Sequence, residues 1–321
     1  MSALRPVALV INPVATRAGH GLRADVARVL GPLGLEWSLV TTGPGDAGRL
    51  ARRAADEGAA VVVTIGGDGT VAEVAGALAG GPVALAPLPG GNANVFARAI
   101  GWPSSPALAL PELVAGLEAG RLREARLGLL RTTDGERVFA INAGVGLDAA
   151  TVEWIEARPR TKRRLRQAGF VMGAAVAAAR SGRAPRLIVS GEGVDPVDAV
   201  AVLVACGTPY TYLGRRPLDL VPGAAFDGRL AWVALTRVRA TELALLVARA
   251  ARGRDLPTDG PSLRGGAAEG ELVVRADAPA PVQADGEPIG HHREVGMRPG
   301  PRLWVVDPRA AALKSEAPEP T

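Results

Sequence analysis

Apolar positions along the chain fall into two regimes. Val7–Ile11 is an uninterrupted apolar run of strand length, and residues 60–65 and 83–88 repeat it. Between these runs, apolar residues recur at helical spacing over 22–30, 46–57 and 71–78, and residues 36–41 read as a further strand. Strands without a polar face, alternating with helices over the first 125 residues, predict a parallel sheet covered on both faces. Such sheets bind ligands at the carboxyl ends of their strands. Beyond about residue 125 the runs shorten and Gly, Pro and Asp punctuate them, the pattern of an antiparallel β region. The expected strands are 125–132 and 137–144, joined by a turn at Asp134 and Gly135, then 186–190, 199–206, 229–236, 271–276, 281–284 and 303–306. One helix, 240–252, interrupts them. The fold class expected is α/β, with an amino-terminal α/β domain over 1–124 and a β-rich domain over 125–306. Residues 307–314 are expected to pack back on the first domain, and 315–321 to form a disordered tail.

Composition narrows the classes of function. The chain has 321 residues, 48% hydrophobic and 21% charged, which excludes a wholly disordered protein. The net charge of +5 comes almost entirely from arginine, since Lys162 and Lys314 are the two lysines. Aromatic residues make up 3%, too few for the stacking platforms of single-stranded nucleic-acid binding. Nucleic acid is therefore not an expected partner. The lone Cys206 excludes an intramolecular disulfide and a cysteine-rich zinc site, and points to a reducing, cytoplasmic setting. No window reaches the roughly 18 apolar residues of a membrane span, and the start of the chain reads as a strand, not as a signal peptide. Membrane contact, if any, is peripheral.

Two glycine loops carry the candidate chemistry. Gly66, Gly67, Asp68, Gly69 and Thr70 directly follow a strand and open a helix. Glycines there let backbone amides reach a phosphate, and the helix amino terminus favours the same anion. Asp68 is a candidate oxygen ligand for magnesium. The competing structural reading is a tight turn with a capping box from Thr70 to Glu73. The second loop is Pro89-Gly90-Gly91-Asn92-Ala93-Asn94-Val95-Phe96-Ala97-Arg98, again after a strand. Asn92 and Asn94 can donate or accept hydrogen bonds there, and Asn94 alone also reads as a helix cap.

With these residues in this order, the chain resembles the diacylglycerol kinase catalytic domain family, which includes bacterial lipid kinases, sphingosine kinases and ceramide kinases. The resemblance rests on VINP ending at Pro13, GGDGT ending at Thr70 and PGGNANVFAR ending at Arg98. It extends to PGAAFDGRLAWVAL, from Pro222 to Leu235, and to ADGEP, from Ala284 to Pro288, and so covers about residues 5 to 307. One position departs from the family: Asn92 stands where a threonine is usual. The resemblance implies a two-domain fold of the NAD-kinase and diacylglycerol-kinase type, with ATP in the cleft and a lipid substrate on the β-rich domain. It implies nucleotide contacts from Asn12, Thr41, Gly66, Gly67, Asp68, Gly69, Thr70, Glu73, Gly91, Asn92 and Asn94. It makes Asp285 the general base and Glu287 its support. It also implies a magnesium site at Asp227 with the carbonyls of Ala224 and Arg229. Read without the family, Asp285 with Gly286, and Asp227 with Gly228, are ordinary hairpin-turn pairs.

A basic run completes the inventory. Arg158, Arg160, Lys162, Arg163, Arg164 and Arg166 put six positive charges in nine residues, just before the apolar stretch 168–179. This suits an anionic membrane surface, and equally a solvated face beside a core helix. His291 and His292 read as surface or loop residues, and Cys206 as core. The expected protein is a cytoplasmic, peripherally membrane-associated lipid kinase using ATP and Mg2+, with a homodimer compatible. An NAD kinase, which also carries GGDGT, and a catalytically silent nucleotide- or lipid-binding regulator are the alternatives.

Overall fold

The computed structural model describes residues 4–16, 19–158, 184–214, 216–237 and 240–309. The basic run beyond Arg158, the stretch 168–179 and the tail lie outside the described residues.

Four parallel strands begin the chain: β1 (Val7–Ile11), β2 (Leu35–Val40), β3 (Val61–Gly66) and β4 (Ala84–Pro89). They lie in the order β2-β1-β3-β4. Helices α1 (His20–Leu30), α2 (Asp46–Asp56) and α3 (Asp68–Leu78) make the crossovers. Every residue of β1, β3 and β4 is buried, which accounts for their continuous apolar runs. β2 departs from the expectation: Glu36, Ser38 and Val40 are exposed, because it is the outermost strand. Next come α4 (Val95–Ala99) and α5 (Pro106–Glu118). The sequence reading missed α5, whose Pro106 and Pro111 look like breaks. Pro106 sits at the first turn, where its missing N–H has no intrahelical partner to lose.

The remainder is antiparallel. β5 (Leu122–Thr132), β6 (Gly135–Phe139) and β7 (Asn142–Gly146) precede α6 (Leu147–Glu156). After it come β8 (Leu187–Gly191), β9 (Val194–Ala199), β10 (Ala201–Ala205) and a separate hairpin of β11 (Thr211–Leu213) and β12 (Arg216–Leu218). β13 (Leu230–Leu235), α7 (Ala240–Ala251), β14 (Leu263–Ala268), β15 (Leu272–Ala284) and β16 (Glu287–Val306) finish the fold. β14, β13, β10, β7, β15 and β16 are neighbours in that order. The far end of β16 then lies parallel to β4 through Val305 and Leu85, so one sheet runs from β14 to β2. His291 and His292 belong to β16, and His292 is buried, unlike the loop residues expected.

The two largest apolar cores among the described residues sit on this sheet, and their border falls where the sequence suggested a single strand over 137–144. The chain breaks there, between β6 and β7. Phe139 and Ala143 belong to the core of the antiparallel region, while Ala140 and Ile141 between them belong to that of the parallel sheet. All four are apolar and buried, so the hydrophobic pattern runs straight through the break.

Candidate active site

β1, β3 and β4 end on one side of the sheet, and their loops build a cleft there. The strand order reverses between β1 and β3, the position at which open α/β sheets bind ligands. A cavity of about 270 Å³ opens at that point, lined by Asn12, Val14, Gly67, Gly69, Thr70, Gly91 and Asn92 among others. Asn12 follows β1, gives its N–H to the Ile65 carbonyl at 2.9 Å and its Nδ2 to Thr70 Oγ1 at 2.9 Å. The loop after β1 is thereby tied to the helix after β3. That helix begins at Asp68, three residues before the expected start. Thr70 therefore lies inside the first turn, and no capping box forms. The amides of that turn precede the first intrahelical acceptor and leave partial positive charge at the cleft.

The second loop lies against the first, backbone to backbone. The Gly90 N–H is given to the Gly66 carbonyl at 2.9 Å. A Cβ on Gly91 would stand 2.5 Å from the Gly67 Cα, so only glycine fits. Asn94, left-handed at φ +48°, accepts the Gly91 N–H on Oδ1 at 2.8 Å and returns Nδ2 to the Gly91 carbonyl at 2.9 Å. This closed ring gives Asn94 a role different from nucleotide contact: it shapes the loop. Asn94→Ala is expected to destabilise the protein by about 2–3 kcal/mol, from two lost hydrogen bonds and an alanine forced left-handed. Asn94→Gly should recover the backbone part. Urea unfolding of both variants checks this.

Three more expected contacts are corrected. Asp68 turns its carboxylate to the second loop, where it accepts the Asn94 N–H at 3.0 Å and the Val95 N–H, and so anchors α4. Burial holds its pKa above the ordinary value, against the pull of those amides. Glu73 points away from the cleft, its oxygens accepting the Gly45 and Ala47 N–H groups at 2.8 and 3.0 Å at the start of α2. Thr41 is buried at the end of β2, its N–H on the Ile11 carbonyl at 2.9 Å, and does not line the cavity.

Across from the glycine loops, β15 and β16 meet in a two-residue turn of Asp285 (φ +50°) and Gly286 (φ +80°). The hairpin reading and the catalytic reading of Asp285 thus describe one object, because the turn folds its carboxylate onto the break between β6 and β7. Oδ2 accepts the Ala140 N–H at 2.6 Å, and Oδ1 accepts those of Ile141 at 2.8 Å and Asn142 at 3.1 Å. Three of the four lone-pair positions are filled, and one on Oδ2 is left. Burial pushes the carboxyl up to about 6, opposed by the three amides and by Arg137. Glu287 pairs with Arg137 at 2.6 Å, and its Oε1 lies 3.0 Å from where a Cβ on Gly69 would stand. The turn therefore reaches the phosphate-type loop. Arg137 was missed by the sequence reading, since nothing in its strand marks it.

The turn proposed for magnesium has a different arrangement. The Asp227 carboxylate takes the Arg229 guanidinium at 3.0 and 2.7 Å and the Arg229 N–H at 3.0 Å, which holds its pKa below the usual range. Its charge is already compensated, and Ala224 is buried. Among the described residues no group of three His, Cys, Asp or Glu could hold a metal ion. The Asp227 carboxylate is paired within its own turn. Next to this turn, the Phe226 ring meets Phe96 edge-on at 5.8 Å and joins the two cores. The Arg98 guanidinium lies 3.2 Å from the Tyr212 ring centroid, tying the second glycine loop to the β11–β12 hairpin. Cys206 is buried, and burial pushes its thiol well above its usual value.

Residues 6–128 match the diacylglycerol kinase catalytic domain. A protein of Pseudomonas aeruginosa named "Probable lipid kinase YegS-like" is 53% identical over 73 residues, 22% of this chain and 24% of that protein. Its Pseudomonas putida counterpart is 45% identical over 100 residues, 28% of this chain and 34% of that protein. The chain thus aligns with about a quarter to a third of the length of these curated relatives. A diacylglycerol kinase of Bacillus anthracis superposes with a TM-score of 0.67 at 20% identity, covering 94% of this chain and 96% of that one. An NAD kinase of Archaeoglobus fulgidus, solved with ATP, gives 0.53 at 13% identity over 94% and 93%. These two likenesses show the shared fold. The two glycine loops, their backbone contact and their place after β3 and β4 all fall inside the stretch, residues 6–128, that is similar to the diacylglycerol kinase catalytic domain.

Proposed function

We propose that the chain is an ATP-dependent lipid kinase that transfers the γ-phosphate to a hydroxyl of diacylglycerol or a similar membrane lipid. The observation that carries this reading is the approach of the Asp285–Glu287 turn to the Gly66–Thr70 loop, with Glu287 beside Gly69. A base and an anion site then face one point. In the proposed step the free lone pair of Asp285 Oδ2 takes the lipid O–H proton. The lipid oxygen bonds to the γ-phosphorus, and the bond from that phosphorus to the β-phosphate oxygen breaks, its electron pair leaving on ADP. Amides of the α3 amino terminus, with that of Gly67, hold the phosphates. Magnesium enters with the nucleotide as part of the substrate. A base with a pKa near 6 is ionised at neutral pH and still basic enough to share a proton in the transition state.

The test is transfer of labelled phosphate from MgATP to diacylglycerol, monoacylglycerol, sphingosine, ceramide and phosphatidylglycerol in mixed micelles, with NAD as a soluble control. Label in one lipid supports the reading. Label in NAD alone replaces it with the NAD kinase, and no transfer with ATP still bound replaces it with a binding protein.

Contact with the bilayer is part of the proposal. Among the described residues no helix is long and apolar enough to cross a membrane. The basic run from Arg158 to Arg166 supplies a surface alternative, at about 1 kcal/mol per basic residue near anionic lipid. Reversing Arg163 and Arg164 to Glu is expected to weaken sedimentation with phosphatidylglycerol vesicles by tenfold or more at low salt. Unchanged sedimentation would assign the run to solvent.

A further inference from the structure

Behind the Asp285 turn lies a polar cluster with no part in the reaction as described. Gln283, on β15, is buried to 1% exposure and accepts the Gly286 N–H on Oε1 at 2.9 Å. An amide can turn either end to that N–H, and only the oxygen accepts it. The other end is fixed from behind. Gln283 Nε2 faces Asp148 Oδ2 at 2.9 Å, Asn142 Oδ1 at 3.1 Å and the Tyr210 hydroxyl at 3.1 Å. Tyr210 gives its O–H to the same Asp148 oxygen at 2.8 Å, and Asn142 gives Nδ2 to the Tyr210 carbonyl at 3.0 Å. Asp148 lies in the first turn of α6, so close over β7 that a Cβ on Gly144 would stand 2.0 Å from its Oδ2. Glycine at 144 is what lets the carboxylate reach Gln283.

We infer that Asp148 is a positioning residue for the base: acting through Gln283, it locks the two-residue turn that holds Asp285 against the amides of Ala140, Ile141 and Asn142. The inference rests on the kinase reading for its meaning in turnover. Both turn residues have positive φ, a conformation that Asp285 keeps only with support. If the Gln283 amide rotates, the Gly286 N–H faces a donor and the turn relaxes. Asp285 then loses the amides that oppose its burial, and its affinity for a proton rises. The charged and titratable groups around Asp285 are Arg137 on β6, Glu287 on β16, Cys206 after β10, Tyr210 and Asp148 itself.

The experiment follows the Asp285 carboxyl by carbon NMR through a pH titration of the full chain, its resonance assigned by loss in Asp285→Asn. Gln283→Leu and Asp148→Leu are expected to raise the midpoint by about half a pH unit or more, roughly threefold in proton affinity. Asp148→Asn retains an acceptor oxygen, so the turn holds, and the midpoint should stay or fall slightly with the lost charge but not rise. Removing a neighbouring negative charge would by itself lower the midpoint, so the sign separates the two causes. Asp148→Asn and Asp148→Leu lowering it together, or Gln283→Leu leaving it unmoved, would overturn the inference. Should Asp148→Leu not fold, Gln283→Leu with Asp148→Asn decides alone. Turnover is measured in parallel. Midpoints that move as stated in a wild type that transfers no phosphate would sink the kinase reading and leave the positioning role standing.

Discussion

Asp285→Asn is expected to lower kcat by about 10³-fold while nucleotide affinity stays within about twofold. The amide keeps the shape of the side chain and the turn, but it cannot take the hydroxyl proton. Its NH2 group also meets one of the three backbone donors that the carboxylate now accepts. In the wild type, kcat/KM should rise with pH through a midpoint near 6 and level above it, and residual turnover in the variant should lack that limb. Stability follows the same group with the opposite slope. The folded pKa lies above the unfolded value, so folding favours the protonated form. This contribution is complete below the unfolded value and is lost as pH rises through about 6. Thermal unfolding at pH 5 and pH 8 should show it in the wild type and not in the variant. Equal kcat in the two proteins would remove Asp285 as the base.

Gly67→Val is expected to weaken ATP binding by about 30- to 100-fold, with the melting temperature nearly unchanged. Gly67 has φ −90° and ψ −172°, an extended conformation open to any residue. A Cβ there meets only the Gly91 Cα, at an ordinary 3.5 Å. The fold can hold the side chain, which then occupies space beside the amides where a phosphate would lie. Gly91→Ala is the contrasting case. Its Cβ would press to 2.5 Å on the Gly67 Cα, and two backbones have to part. A loss of about 1–3 kcal/mol in stability is expected there, together with the loss of affinity. Calorimetric ATP titration and thermal unfolding of the two variants separate a blocked site from a distorted one. Unchanged affinity in Gly67→Val would place the phosphates elsewhere.

What could be read in the sequence was local. The runs of β1, β3 and β4 are apolar because both sides of each strand are buried, and short-range periodicity reports that directly. Gly90 and Gly91 stand out because backbones touch, and a loop of glycines after a strand has few other uses. The failures are of another kind. The break at Ala140 and Ile141 is made by a carboxylate nearly 150 positions away, and the apolar pattern continues across it. Glu73 sits at capping-box distance from Thr70, yet its partners are amides of a helix that comes earlier in the chain. Asp68 and Asn94 are residue types that line sites, and here they brace the walls. Asp148, Tyr210 and Gln283 converge only when β7, the residues after β10 and β15 are brought together. Spacing identifies residue types suited to a chemistry, while packing decides which of them face the cavity and which hold its shape.

β16 carries a consequence for anyone wishing to work with residues 6–128 alone. Its last residues lie beside Leu85 of β4 and pair with residues 122–126 of β5, while its first residues adjoin the Asp285 turn. A fragment cut at residue 128 would keep both glycine loops and lose this strand. β4 would become a bare edge with buried apolar residues on either side, a template for aggregation. The stretch that family comparison recognises is thus smaller than the unit that can fold, and its outer wall is made from the other end of the chain.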